Sequence, residues 1–166
     1  TLYGNPAVSD GESLDITRVQ LGTLDNPSTP SGNTYTNYTT DTNVVIPVLY
    51  KGVPDQMDIH VENSTAMDPL SSVGAWARVW IDWNRDGLFQ SGGGTTEWAL
   101  SDTAYSGSIV SATVNVPANT VSGLTRMRVI LKQGGNEAEV ATSDPFSGIQ
   151  RGEIEDYKVL IKTAEP

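Results

Sequence analysis

Apolar residues along this chain alternate with polar ones over short stretches, and no stretch keeps the period of an amphipathic helix for three turns. Residues 56–63 (QMDIHVEN) place Met57, Ile59 and Val61 on one face and Asp58, His60 and Glu62 on the other. Residues 75–83 (AWARVWIDW) form the strongest predicted strand, with Ala75, Ala77, Val79, Ile81 and Trp83 sharing an apolar face. Residues 108–116, 124–132 and 153–162 continue the pattern, with Met127, Val129 and Leu131, then Tyr157, Val159 and Ile161, directed inward. A first apolar segment runs from Ile16 to Leu21, and Pro47 marks residues 44–50 as an edge strand or a bulge. Residues 1–14 read as an irregular N-terminal arm and residues 25–43 as a long polar loop with a strand near Tyr35. Many short strands separated by Gly, Pro and Asn turns predict an all-β chain, an antiparallel β-sandwich of fibronectin-like or jelly-roll-like form, with residues 1–166 as one module.

Composition narrows the function classes. The 166 residues carry 20 acidic and 10 basic side chains, a net charge of −10, which disfavours phosphate-rich partners and anionic membranes. No apolar run approaches the ~18 residues needed to cross a bilayer as a helix, so neither nucleic acid nor membrane insertion is expected. There is no cysteine and one histidine, which leaves no disulfide and no zinc site of the usual nitrogen and sulfur type. No GxSxG elbow and no phosphate-cradling loop with its Lys occurs, and His60 lies beside Asp58 and Glu62 on a polar face. No catalytic constellation stands out, so a non-catalytic role is expected.

The chemistry that does stand out follows the Trp-rich strand. In DWNRDGLF, Asp82, Asn84 and Asp86 offer side-chain oxygens at alternate positions, Gly87 permits a sharp turn, and the Leu88 carbonyl is the next oxygen. A hard cation takes about six to eight oxygens, and this spacing is the first half of a calcium loop. The bidentate Glu expected at the loop's twelfth position is missing: Gly93 stands there, and the nearest loop acid is Glu97. Glu153, Glu155 and Asp156 form a distant acidic segment able to complete a Ca2+ site. The plainer readings are an Asx-type turn and a charged strand end.

Strand parity adds a face. Opposite the apolar positions lie Trp76, Arg78 and Trp80, and on a later strand Arg126 and Arg128. If these strands share a sheet, an outward face combines Trp rings, which stack on pyranoses, with guanidinium forks, which grip carboxylate or sulfate. The competing readings are a stiffening cation–π ladder or a face covered by a neighbouring domain.

Three ordered segments, VWIDWNRDGLF, GLTRMRVIL and RGEIEDYKVLI, together resemble the GEVED domain of secreted bacterial proteins. The family's Gly-Glu-Val-Glu-Asp motif appears here as Gly152, Glu153, Ile154, Glu155 and Asp156, and ITRVQLGTLDN is similar to the family's opening strand and turn. The resemblance implies an accessory β-sandwich beside the catalytic or adhesion domains of an exported protein. Many members carry cysteines that this chain lacks, and the acidic residue usual soon after the DWN-DG loop is replaced by SGGG. The resulting expectation is a secreted, calcium-stabilised carbohydrate-binding module, anchoring a partner enzyme domain to an extracellular polysaccharide, acidic ones included. The alternatives are a protein-binding or adhesion module and a structural spacer.

Overall fold

A computed structural model of the chain describes residue 3 and residues 8–10, 14–29, 35–63, 75–92, 95–104, 109–133 and 149–163. The strands in chain order are β1 (Val8–Asp10), β2 (Leu14–Leu21), β3 (Leu24–Pro27), β4 (Tyr35–Asn37), β5 (Val48–Tyr50), β6 (Asp55–Asn63) and β7 (Ala75–Ile81). They continue with β8 (Ser91–Gly92), β9 (Thr95–Thr96), β10 (Trp98–Ala104), β11 (Ile109–Val114), β12 (Gly123–Gln133) and β13 (Ile149–Lys162). No helix occurs among the described residues. A seven-stranded sheet built on β13-β12-β7-β10 faces a four-stranded sheet of order β11-β6-β2-β3, and the protein is an all-β sandwich.

Alternation explains the core. Ala77, Val79 and Ile81 of β7, Met127, Val129 and Leu131 of β12, and Tyr157, Val159 and Ile161 of β13 are buried against Val19, Leu21, Met57, Ile59 and Val61 of the facing sheet. Within β2, Ile16 and Val19 both reach the core although three positions apart. The register shift between Ile16 and Arg18 absorbs the extra residue as a bulge.

Two features depart from what the sequence pattern predicts. The fourteen-residue β13 pairs antiparallel with β12 on one side, but its other side receives β1, β4 and β5 in parallel, one after another. Three short strands thereby cover what would be a long open edge. The arm read as irregular contributes one of them, β1. Pro47, which cannot donate to a ladder, sits just ahead of β5, where its carbonyl accepts from the Leu160 N–H at 2.9 Å. The second departure is β10, whose sequence WALSDTA lacks a β-branched run. It forms because β7 offers it an edge, with a bulge between Trp98 and Leu100.

The larger sheet is covered on its second face as well. Trp80, Ile130 and Ile154 point away from the main core and form a smaller buried cluster with Phe89, against which Tyr3 and Tyr35 pack. This layer positions everything described next.

Candidate functional site

The acidic loop begins where β7 ends. Asp82 is fully buried on the outer face of the sheet, and its carboxylate organises the turn. Oδ1 accepts from the Asp86 N–H at 3.2 Å, and Oδ2 accepts from the Gly87 N–H at 2.9 Å and from the Tyr3 hydroxyl at 2.7 Å. Asn84 Oδ1 accepts from the Asp86 N–H at 2.9 Å, and Asp86 Oδ1 from the Leu88 N–H at 2.9 Å. Gly87 takes φ 86°, a conformation that a side chain would oppose, which is why the turn can close at that residue. Arg85 braces the loop from outside by donating to the carbonyls of Leu124 and Ser122.

The acid missing from the loop's twelfth position arrives from Glu97. Ser91–Gly92 pairs with Thr95–Thr96 as a small hairpin, so the chain leaves the loop after Gln90 and returns at Glu97. The Glu97 N–H donates to the Gln90 carbonyl at 3.1 Å. The buried Glu97 carboxylate accepts from the Gln90 N–H at 2.8 Å and from the Asn84 N–H at 3.5 Å. Burial pushes its carboxyl up to about 7, partly offset by the Gln90 N–H and reinforced by the charges of Asp82 and Asp86. The β8–β9 pairing thus returns Glu97 to the loop that begins at Asp82.

Glu153 and Glu155 do not reach this loop. They share the β13 face of Tyr157, Val159 and Ile161, between the sheets, whereas Asp82 and Asp156 lie on the opposite face. Their expected part in the same metal site is therefore corrected by the pleat itself. Glu153 Oε2 accepts from the Ile16 N–H of the facing sheet at 2.7 Å, and Glu155 Oε2 accepts from the Tyr157 hydroxyl at 2.6 Å. Tyr157 in turn accepts from Asn26 at 2.9 Å and stacks on Tyr38. Burial raises both glutamic acids well above the ordinary carboxyl range; the charges of Glu155 and Asp15 add to it at Glu153, and that of Asp15 at Glu155, where hydrogen bonds with Tyr157 and Glu153 offset part of the rise.

Folding therefore strengthens proton binding at this pair. The stabilisation is fully present at and below the unfolded value near 4.5 and is lost as pH rises through the raised folded values. With calcium chelated, the melting temperature is expected to fall from mildly acidic toward alkaline pH, by the equivalent of roughly 2 kcal/mol. Glu155→Gln, which keeps an acceptor for Tyr157, should flatten that slope. An unchanged slope in a pH series of thermal melts would show that the pair carries no shared proton.

Asp156, on the outer face, belongs to a different network. Arg128 grips it with two bonds, Nε to Oδ1 at 2.7 Å and Nη2 to Oδ2 at 2.8 Å, with both side chains fully buried. The Tyr35 hydroxyl donates to Oδ2 at 2.9 Å, and Arg126 approaches at 3.3 Å. The Arg128 guanidinium also lies 5.1 Å from the Phe89 ring centroid, and Arg78 lies 5.5 Å from that of Trp80.

These contacts correct the expected ligand face. Trp76, Arg78, Trp80, Arg126 and Arg128 do share one face of one sheet. Trp80 is only 2% exposed, Arg78 3% and Arg128 0%, because Phe89, Tyr3 and Tyr35 lie over that face. Trp76 and Arg126 alone of the five remain half-buried rather than buried. Tyr105 and the Trp98 side chain lie outside the described residues. His60 faces Gln20 at 3.0 Å.

Among the described residues no three His, Cys, Asp or Glu side chains form a preformed metal cage. The loop oxygens are turned onto backbone N–H groups. The donor set of Asp82, Asn84, Asp86, Glu97 and the Leu88 carbonyl is nonetheless all oxygen, as calcium prefers. Compared with known proteins, the chain is matched over residues 76–160 by the model of the GEVED domain, an accessory domain family. Among curated proteins no match was found.

Proposed function

Since this chain belongs to the GEVED domain family, we propose that it is a non-catalytic module of a secreted bacterial protein, stabilised by calcium and holding a partner domain to an extracellular polysaccharide. The observation that carries the calcium part is the return of Glu97 to the Asp82–Leu88 loop. In this reading Asp82, Asn84, Asp86, Glu97 and the Leu88 carbonyl hold the ion, and Glu153 and Glu155 do not. The carboxyl of Glu97, pushed up to about 7 by burial and then by the charges of Asp82 and Asp86, is a group that a cation relieves by displacing its proton. Asn84, Asp86 and Leu88 are exposed, which suits a weak site of the extracellular class, filled at roughly 0.1–1 mM calcium. The polysaccharide part narrows to side chains still reachable from solvent, Trp76 and Arg126.

The test is thermal unfolding in EDTA and then in excess calcium. Calcium at about 100 times its dissociation constant should add about 2.7 kcal/mol, and Glu97→Gln should abolish most of that gain. Glu153→Gln should leave it intact. Equal melting temperatures with and without calcium, with no calcium found by metal analysis, would reduce the loop to a hydrogen-bonded turn.

A second reading, a structural spacer against a neighbouring domain, draws on the burial of the Trp and Arg ladder and on exposed Val45, Ile46 and Val53 around the β5 edge. A spacer would bind no glycan and would raise the stability of its neighbour.

A further inference from the structure

We propose that the shallow cavity between Tyr3, Arg126 and Lys158 is a subsite for a sugar residue bearing a carboxylate or sulfate group. The inference rests on the polysaccharide reading above and names the class of polymer. The cavity has a volume of about 180 Å³ and is lined by Tyr3, Thr39, Leu124, Thr125, Arg126 and Lys158. That is below the ~300–1,000 Å³ of a pocket for a drug-sized ligand and suits a single residue of a chain that continues into solvent.

Charge is the first argument. The protein carries −10 overall, yet two cations and no acid line this cavity. Arg126 and Lys158 are direct partners across the β12–β13 ladder. Like charges placed opposite each other weaken a sheet, and an anion between them removes the penalty. Neither cation is fully neutralised in place. Arg126 meets Asp156 at 3.3 Å, but that carboxylate is already held by both arms of the Arg128 fork. Lys158 is exposed and forms no salt bridge among the described residues.

Preorganisation is the second. The Arg126 guanidinium lies 4.5 Å from the Tyr3 ring centroid. The ring is itself held by its hydroxyl on Asp82 and by the Tyr3 N–H on the Gly87 carbonyl at 2.7 Å. The cation is therefore held in position before any ligand arrives.

The third argument separates a sugar from a bare anion. The Thr39 hydroxyl donates its proton to Asn37 Oδ1, and the Thr125 hydroxyl donates to the Asp82 carbonyl, both at 2.6 Å. With its proton on Asn37, the Thr39 hydroxyl has acceptor lone pairs left for a ligand. Acceptors beside cations match a ligand carrying O–H donors next to a negative group, which an acidic sugar has and inorganic sulfate lacks. Leu124, 47% exposed, supplies an apolar lip for the C–H face of the ring.

Affinity electrophoresis of the whole chain in calcium tests this, through gels holding polygalacturonate, dextran sulfate, or a panel of neutral glucans, xylans and mannans. Retardation by an acidic polymer is expected, weakened at least about tenfold in an Arg126→Gln/Lys158→Gln variant and retained in Lys158→Arg. Which acidic gel retards distinguishes carboxylate from sulfate. Thermal melts check that the double variant is folded; if it fails to fold, Lys158→Gln alone, at an exposed position, decides. Retardation by neutral polymers only, or by an acidic polymer equally in protein and variant, overturns the subsite while leaving the polymer reading standing. No retardation in any gel overturns both.

Discussion

Asp156→Ala is expected to lower the stability of the protein by about 3–5 kcal/mol, the loss typical when one partner of a buried ion pair is removed. The cause is the charge left behind. Arg128 lies fully buried beneath Phe89, and its bidentate carboxylate is Asp156. The same substitution strips an acceptor from the Tyr35 hydroxyl, loosening β4 from the edge of β13. Replacing both partners by apolar residues, as in Arg128→Met/Asp156→Leu, removes the uncompensated charge and should recover more than half of the loss. Urea unfolding of the two single variants and the double variant measures this as a cycle. Strict additivity of the single losses would show that the pair is not the source of the effect.

Gly152→Ala is expected to cost roughly 3 kcal/mol or more, combining backbone strain with overpacking. Gly152 adopts φ 145°, and a Cβ there would overlap the carbonyl oxygen of Leu131 on the neighbouring strand. That oxygen belongs to the ladder backbone and cannot swing aside. Gly52→Ala is the internal comparison: Gly52 also has positive φ, at 79°, but a Cβ there meets nothing within 4 Å. It should cost only the conformational part, about 1–2 kcal/mol. Equal losses at the two positions would remove the steric argument.

Each residue of the Gly-Glu-Ile-Glu-Asp segment makes a contact that holds the fold. Gly152 allows close strand approach, Glu153 ties the facing sheet at Ile16, and Ile154 fills the outer cluster. Glu155 holds Tyr157, and Asp156 neutralises Arg128. This segment is structural in each of its letters, while the cation chemistry argued for this chain lies with the loop after β7.

The sequence by itself determined the alternation that separates core from outer face, because a pleated strand has a period of two. Met57, Ile59, Val79, Ile81, Met127, Val129, Tyr157 and Val159 are buried where parity puts them. The same parity already separates Glu153 and Glu155 from Asp82, since Glu153 and Glu155 share the face of Tyr157. What parity cannot supply is the content of the space beyond a face. Tyr3, Tyr35 and Phe89 come from an arm, a short parallel strand and a loop, and only their tertiary placement turns an outward Trp and Arg face into a buried second layer. Nor does a count of positions show which acid the fold returns to the loop. Glu97 stands four residues beyond Gly93, the loop's twelfth position, and the antiparallel pairing of β8 with β9 brings it back. Local periodicity is written in neighbouring residues, whereas cover and closure depend on contacts between segments far apart in the chain, which exist only once the sheets have formed.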